Sequence, residues 1–222
     1  MIDLSKYRII DLSYELIPGE RKINGEYLHG EPWVMRPLEV QEFMAYGARM
    51  HFIQGQTHCG THCEGAYKYL DEGPDVAGMR LESYLGEAAV CNFSHKEGGE
   101  AISAEDFRRA GVRKGDIVLA RTSAELMGDL PYMTGEALDW LIEMEMKLLA
   151  SGGNLRYGPT REGHLAAERR LLENGIAMVD ALYGLDQIVK KRVFFIGMPV
   201  KMRRVTAAWT RAVALEEIGP DG

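Results

Sequence analysis

Short runs of apolar residues, separated by glycines and polar residues, dominate the pattern of this chain. Runs of this length are typical of buried β-strands. Five strands are predicted in this way: Ala88 to Phe93, Asp116 to Arg121, Ile176 to Leu182, Val193 to Ile196 and Arg211 to Leu215. Met50 to Gln54 is also predicted to be extended, and it leads into a polar segment that contains glycine.

Three segments carry the periodicity and the end signals of helices. Ser103 precedes a predicted helix over 104–110, Thr134 precedes one that runs to about Leu149, and a third is predicted over 161–174. Because strands alternate with helices, the pattern predicts an α/β or mixed α+β fold. No linker divides the chain, so one domain over residues 1–222 is expected.

Composition narrows the class of protein without identifying it. The chain has 222 residues, 46% of them hydrophobic, and a net charge of -7 with scattered basic residues, which argues against nucleic acid and anionic membranes as partners. No run approaches the roughly 18 to 20 apolar residues of a membrane helix, and no signal peptide is recognised. Three cysteines make a disulfide framework improbable. We therefore expect a cytoplasmic location.

The segment over 57–69, T-H-C-G-T-H-C-E-G-A-Y-K-Y, is the most informative stretch of the chain. His58, His62, Glu64 and Lys68 all have even numbers, so an extended backbone would place them on one face. Two imidazoles and a carboxylate are typical ligands of Zn, Mn or a similar divalent ion. Water could be the fourth ligand, and the metal would acidify it into a nucleophile.

The same segment has less specific interpretations. It could be a polar loop in which the two histidines hydrogen-bond to the backbone. Cys59 and Cys63 fall on the opposite face, where small buried side chains are the simplest explanation. A catalytic cysteine with a nearby histidine is a further hypothesis, which the alternation of faces disfavours.

Two acidic residues occupy positions that are otherwise apolar. Glu168 has Leu165, Leu171 and Leu172 as its helical neighbours, so it is predicted to point toward the core, with His164 one turn earlier on the same face. Asp180 ends the apolar run I-A-M-V-D. A basic partner for Glu168 and a turn cap by Asp180 are the structural alternatives. Together with the histidine segment, the two acids could supply a second metal subsite.

These residues resemble the metal-dependent cyclase family, which includes bacterial kynurenine formamidase and isatin hydrolase. The family signature H-x-G-T-H-x-D-x-P-x-H-F is similar to H-C-G-T-H-C-E-G-A-Y-K-Y in this chain. Similarity continues through I-D-L-S near the start, the K-G-D-I-V-L strand and the segment L-L-E-N-G-I-A-M-V-D-A-L-Y-G-L-D-Q-I. The resemblance implies a single domain with the swivelling β/β/α-type fold of the cyclases.

The resemblance also implies a set of site residues. By position, His58, His62 and Glu64 correspond to the early metal ligands, and Glu168 and Asp180 to the later histidine and glutamate. Lys68 stands where the family has its presumed acid/base histidine. Because carboxylates replace part of a more histidine-rich set, Mn becomes competitive with Zn, as one or two ions.

Two functions from different classes follow. The first is a metal-dependent hydrolase of an amide or lactone-like bond in a small molecule, in which Lys68 and Glu168 are catalytic and Lys68, Trp33 and His164 contact substrate. The second is a non-hydrolytic relative, either a lyase, dehydratase or isomerase or a ligand-binding protein with a degenerate metal site. An ion pair between Lys68 and Glu168 would favour the second. A homodimer or homotetramer is implied by the resemblance alone.

Overall fold

The computed structural model describes residues 3–19, 38–124 and 129–219, together with the backbone of 22–23 and 26–27. These residues form fifteen β-strands, three α-helices and several short 3-10 helices. The strands are β1 Tyr7–Asp11, β2 Lys22–Ile23, β3 Glu26–Tyr27, β4 Glu39–Ala45, β5 Ala48–Gln54, β6 His62–Glu64, β7 Leu85–Asn92, β8 Ala101–Ile102, β9 Ile117–Arg121, β10 Tyr132–Met133, β11 Leu148–Ser151, β12 Ala177–Asp180, β13 Arg192–Ile196, β14 Ala207–Trp209 and β15 Val213–Glu217. The α-helices are α1 Ala104–Ala110, α2 Gly135–Glu143 and α3 Arg161–Glu173.

Nine strands form one mixed sheet in the order β1-β15-β13-β7-β9-β11-β12-β6-β14. The four central strands, β7, β9, β11 and β12, are parallel, and the strands on either side of them are antiparallel. Parallel strands are covered on both faces, which explains why their sequences are nearly continuous apolar runs. The α/β class predicted from those runs is confirmed.

The helices pack on one face of this sheet, and a second apolar cluster covers the other. Phe107, Leu138 and Leu171 of the three helices belong to one buried cluster with Met178 of β12, whereas Val179 belongs to the cluster on the opposite face. Successive residues of a strand point to opposite faces, so β12 contributes to both clusters. The site residues on neighbouring strands alternate between the two faces in the same way.

Most of the predicted elements are found, with changes at their ends. The strand predicted at Arg211 to Leu215 is shifted to Val213–Glu217, because the carbonyl oxygen of Ala212 accepts from the backbone N–H of Leu12 and its own N–H donates to Ser13 Oγ. The helix predicted over 161–174 is confirmed as Arg161–Glu173, and the capping box at Ser103 is present.

The prediction that the second helix reaches about Leu149 is wrong. This helix, α2, ends at Glu143, and Glu145 takes a positive φ of 52° that turns the chain away. Leu148–Ser151 then pairs with β9 on one side and β12 on the other, and all four residues are buried. Strand pairing on both edges outweighs the helical preference of these residues.

One hairpin, made of β4 and β5, forms its own two-stranded sheet. Nearly every residue of both strands is exposed, including Phe43, Met50 and Phe52. No helix among the described residues is long and apolar enough to cross a membrane.

Candidate metal centre

The centre is built on β6, a short strand held between β12 and β14 near one edge of the large sheet. His62 and Glu64 are two residues apart on this strand and therefore share a face. His62 lies directly opposite Asp180 of β12 and Trp209 of β14 in the register of the sheet. Directly opposed residues point to the same side, which gathers these groups on the face where the helices pack.

His62 is held in one orientation by the turn that precedes it. Its Nδ1 lies 2.8 Å from the carbonyl oxygen of Gly60, so Nδ1 carries a proton and Nε2 faces Glu64 Oε1 at 3.2 Å. A hydrogen bond of this kind fixes the tautomer of a metal-binding imidazole. Gly60 has a φ of 63°, and a Cβ there would lie 2.5 Å from Leu16, so the turn requires glycine.

The buried environment favours a positive charge between these groups. Burial opposes the imidazolium form, but the hydrogen bond to Glu64 and its charge outweigh burial and raise the pKa of His62. For Glu64, burial alone would raise the pKa. Hydrogen bonds with His58 and His62 and the charge of Lys68 outweigh burial and hold this pKa well below its usual value. Glu64 is therefore an ionised carboxylate, although only 1% of its surface is exposed.

His58 completes a set of three converging donors. Its Nδ1 lies 3.0 Å from Glu64 Oε1, and its Nε2 lies 3.0 Å from Thr206 Oγ1. One donor atom from each of His58, His62 and Glu64 can be chosen so that all three lie within 4.8 Å of one another. The second oxygen of Glu64, Oε2, is buried and has no hydrogen-bond partner among the described residues.

This arrangement fits a divalent metal ion. Two imidazoles and a carboxylate are a common ligand set, and an unpartnered buried carboxylate oxygen is costly unless a cation or a proton meets it. A divalent ion held by these residues would lower the pKa of a coordinated water molecule and polarise a substrate carbonyl group.

Lys68 and Glu168 form the second half of the centre. Lys68 Nζ lies 3.0 Å from Glu64 Oε1 and 3.1 Å from Glu168 Oε2. The hydroxyl of Tyr69 donates to the same Glu168 oxygen at 2.5 Å. On α3, His164 Nε2 lies 3.1 Å from Glu168 Oε1, and its Nδ1 accepts from the backbone N–H of Tyr157. Glu168 is therefore contacted from three directions.

The ion pairs keep both partners charged. Burial would raise the pKa of Glu168, but the hydrogen bond from His164 and the charge of Lys68 lower it to about 2. Burial would lower the pKa of Lys68, yet the charges of Glu64 and Glu168 raise it. The charges of the two carboxylates therefore outweigh burial, and a permanently charged ammonium favours a binding role over proton transfer.

Asp180 has a different set of contacts. The hydroxyl of Tyr157 donates to Asp180 Oδ1 at 3.0 Å and lies 3.1 Å from Ser151 Oγ. Burial and the charges of Glu168 and Glu64 raise the pKa of Asp180. The Tyr157 ring stacks on His164 with 4.8 Å between centroids, so the residues around Asp180 and Glu168 form one continuous network.

The structure brings the predicted site residues together, although not on one extended strand. Only His62–Glu64 of the segment is a strand: His58 lies in a turn and Ala66–Lys68 form a 3-10 helix. Trp33, predicted to contact substrate, lies outside the described residues. Leu165 is exposed rather than part of the apolar stripe around Glu168, because the buried face of α3 is narrower than predicted.

Three contributors have no counterpart in the sequence predictions. The 3-10 turn that ends at Lys68 brings the hydroxyl of Tyr69 to Glu168. Tyr157 and Thr206 reach the site from loops, and no local pattern marks them. The sequence offers a signal only for Tyr69, because it adjoins Lys68.

Both cysteines of the segment lie away from the donors, as the alternation of faces predicts. Cys63 is fully buried and its Sγ lies 3.1 Å from the carbonyl oxygen of Gly197, while Cys59 packs against Tyr14 and Leu16. Burial raises the pKa of both thiols, which disfavours a reactive thiolate.

A family model described as "Putative cyclase" matches residues 10–152 of the chain. The chain belongs to the cyclase family. The matched region contains His58, His62 and Glu64, so these three donors lie within the part of the chain that defines the family. Glu168 and Asp180 lie beyond it.

Curated relatives of this cyclase are similar over most of its length. A kynurenine formamidase from Erythrobacter litoralis is 27% identical over 96% of this chain and 95% of its own. A kynurenine formamidase from Bacillus mycoides is 24% identical over 70% of this chain and 75% of its own. The first similarity extends over nearly the whole chain.

Solved structures share the fold. Isatin hydrolase A from Labrenzia aggregata, bound to benzyl benzoate, superposes with a TM-score of 0.77 and 21% identity, covering 96% of this cyclase and 95% of that chain. An isatin hydrolase bound to the product analogue thioisatinate gives a TM-score of 0.77 at 17% identity, covering 96% and 94%. The cyclase fold expected from the sequence is thereby confirmed.

Proposed function

We propose that this cyclase is a metal-dependent hydrolase that cleaves an amide or lactone-like bond in a small molecule. The observation that carries the proposal is the convergence of donor atoms of His58, His62 and Glu64 within 4.8 Å of one another, with one oxygen of Glu64 left without a hydrogen-bond partner in the part of the chain that the structure describes. The relatives named kynurenine formamidase and isatin hydrolase support a C–N bond of the amide type as the target.

Roles for the individual residues follow from this chemistry. His58, His62 and Glu64 would hold Zn or Mn, and Glu168 and Asp180 would hold a second ion or orient the ligands of the first. Lys68 and Glu168 remain the proposed catalytic groups. Lys68, Trp33 and His164 are the proposed substrate contacts, of which Lys68 has a fixed charge suited to a carboxylate or an oxyanion.

A non-hydrolytic relative is the second candidate, and the ion pair between Lys68 and Glu168 favours it. A centre in which Glu168 is neutralised by lysine could bind a ligand, or serve a lyase, dehydratase or isomerase step, without assembling a two-metal hydrolase site. The two candidates differ in whether water is incorporated into the product, which mass spectrometry of reactions in heavy-oxygen water detects.

We also propose that residues 1–222 form one domain that acts in the cytoplasm as a homodimer or homotetramer. Three buried, unpaired cysteines are consistent with a reducing compartment. A two-stranded hairpin is marginally stable alone, and β4–β5 exposes Phe43, at 46% of its surface, and Phe52, at 58%. The hairpin also carries Glu42 and Arg49, so two copies could meet without net repulsion.

The central test measures metal content and amide hydrolysis in the same preparations. Purified without added metal and then loaded with Zn or Mn, the wild type should retain stoichiometric metal and hydrolyse N-formyl anilides or cyclic amides of the isatin type. His58→Ala and His62→Ala should lose at least tenfold in metal affinity and activity. His95→Ala, at an exposed histidine in the turn after β7, should behave as wild type. Unchanged metal content in His58→Ala would contradict the site.

A further inference from the structure

The ammonium group of Lys68 lies between the two carboxylates of the centre. Nζ is 3.0 Å from Glu64 Oε1 and 3.1 Å from Glu168 Oε2, so it joins the donors on β6 to those on α3. Most of the Lys68 side chain is shielded from water, with 23% exposed. A bridging position between carboxylates from two elements is one that a divalent cation would also favour.

The two carboxylates differ in whether an oxygen atom remains free to bind a metal. Glu168 Oε1 contacts His164, and Glu168 Oε2 receives hydrogen bonds from both Lys68 and Tyr69. Glu64 Oε2, in contrast, is buried without a partner among the described residues. Glu168 is therefore satisfied by side chains of the protein, whereas Glu64 has an open position for a cation.

Electrostatics explain why a cation is needed at the bridging position. Glu64, Glu168 and Asp180 converge on one buried region, and carboxylates this close repel one another unless a positive charge separates them. Lys68 supplies one charge with three N–H donors on a covalent stem. A second divalent ion would have to displace this ammonium and break its contacts with both carboxylates.

We propose that Lys68 takes the place of a second metal ion, so that the centre binds a single divalent cation on His58, His62 and Glu64. This inference rests on the proposed metal-dependent function and specifies how many metal ions the centre binds. It gives Glu168 and Asp180 a positioning role instead of a role as ligands of a second ion. Glu168 anchors the ammonium, and Asp180 adds negative charge beside it. The centre would then comprise one exchangeable cation and one built-in cation.

The test counts bound metal rather than activity. The full-length chain is stripped with a chelator, titrated with Mn²⁺ and separated from free ion, and the bound manganese is counted by plasma mass spectrometry. Electron paramagnetic resonance distinguishes isolated from spin-coupled Mn²⁺. The wild type should bind one ion with an uncoupled spectrum. Lys68→Met, which keeps the stem but removes the charge, should bind two ions with a coupled spectrum.

Two further variants control for charge and folding. Lys68→Arg preserves a cation and should bind one ion, and Lys147→Met, at an exposed lysine, should also bind one. Two ions in the wild type, or one ion in a folded Lys68→Met, would overturn the inference while leaving a hydrolase intact. No ion in the wild type would overturn the proposed metal-dependent function itself. If Lys68→Met does not fold, the wild-type count and spectrum alone decide.

Discussion

Glu168 shows how side chains of the protein keep a buried carboxylate ionised. Three donors from different parts of the chain reach it: the imidazole of His164, the ammonium of Lys68 and the hydroxyl of Tyr69. Hydrogen bonds to a charged group stabilise more than neutral ones, and each donor also fixes the geometry of the others. The residue is 4% exposed, so the loss of any donor leaves it poorly solvated.

Removal of the Tyr69 hydroxyl should therefore destabilise the fold. Tyr69→Phe is expected to lower the free energy of unfolding by about 1–2 kcal/mol, because a buried carboxylate loses one hydrogen bond. Urea denaturation followed by circular dichroism measures this difference. Tyr67→Phe is the matched control, since Tyr67 is exposed, and should change stability by less than about 0.5 kcal/mol. Equal stability of the two variants would contradict the assigned contact.

The two cysteines beside the metal donors are expected to be dispensable for hydrolysis. Cys59→Ser and Cys63→Ser should keep the hydrolytic rate of the wild type within about threefold once folded protein is compared, since neither thiol faces the donors. The measurement is a steady-state assay on metal-loaded protein, with the folded fraction checked by gel filtration. A loss of a hundredfold or more in either variant would revive the cysteine-nucleophile hypothesis.

For single residues, simple sequence rules identify some members of the centre and miss others. Alternation of side chains along a strand groups His62 with Glu64, and an acid in an apolar helix stripe points to Glu168. Neither rule finds Tyr157 or Thr206, because their contacts arise from loops that the tertiary fold brings to β6 and α3. Local patterns cannot specify such long-range contacts.

Among the elements, α3 positions two residues of the centre, and its entry is tightly packed. A Cβ on Gly158 would lie 2.6 Å from the backbone carbon of Gly163 and 2.9 Å from the backbone nitrogen of His164. Backbone atoms cannot move aside as the end of a flexible side chain can. The loop before α3 must therefore approach the first turn closely for His164 and Glu168 to reach Lys68.

Gly158→Ala should displace this first turn. The variant is expected to lose about 1–3 kcal/mol of stability and to show weaker hydrolysis, because overpacking forces the backbone apart. Gly135→Ala is the control, because Gly135 begins α2 and an added Cβ there meets no described residue within 4 Å. Its replacement should be neutral or stabilising by about 0.4–1 kcal/mol. Thermal unfolding and the steady-state assay compare the two variants.

The β4–β5 hairpin makes the proposed oligomer testable at the level of one element. A double variant, Phe43→Glu with Phe52→Glu, should convert the assembly to monomers, since the two residues lie on one face and charges there would repel a second copy. Light scattering coupled to gel filtration gives the mass. Leu81→Glu, at an exposed leucine outside the hairpin, should leave the mass unchanged. A monomeric wild type would contradict the proposal.

At the level of elements, sequence patterns predict whether a helix or strand is present better than they predict where it ends. The apolar runs of β7, β9, β12 and β13 and the N-caps of α1 and α2 are visible in the sequence. The boundary between α2 and β11 is not, because Met144 to Leu149 contains good helix formers and only pairing with β9 and β12 makes the last of them a strand. Sheet partners, and not local preference, decide that boundary.

For the whole molecule, Glu216 ties the first strand of the chain to its last. It accepts hydrogen bonds at 2.7 Å from the backbone N–H groups of Val189 and Lys190 and lies 2.5 Å from the guanidinium of Arg8. Burial opposes the ionised form, but these contacts outweigh it and lower the pKa of Glu216. The ionised carboxylate therefore stabilises the edge of the sheet where β1 and β15 pair.

The pH dependence of stability should report this contact. Because the folded-state pKa is lowered, the stabilisation is present above the ordinary glutamate pKa, near 4.3, and is lost as the pH falls through the folded value. The difference in free energy of unfolding between the wild type and Glu216→Gln should be about 1–2 kcal/mol at pH 7 and should shrink below about pH 4. Urea denaturation from pH 3 to pH 7 measures it. A difference that is independent of pH would contradict the assignment.

The pairing of β1 with β15 places Tyr7 beside Glu217, at opposite ends of the sequence. During synthesis, β1 leaves the ribosome before β15 and has no neighbour in the sheet until β15 has been made. Growing chains therefore carry an unpaired strand, with Ile10 still uncovered, while the elements between β1 and β15 are made. A stop codon before Val213 would leave that strand without its partner and expose the nascent product to aggregation.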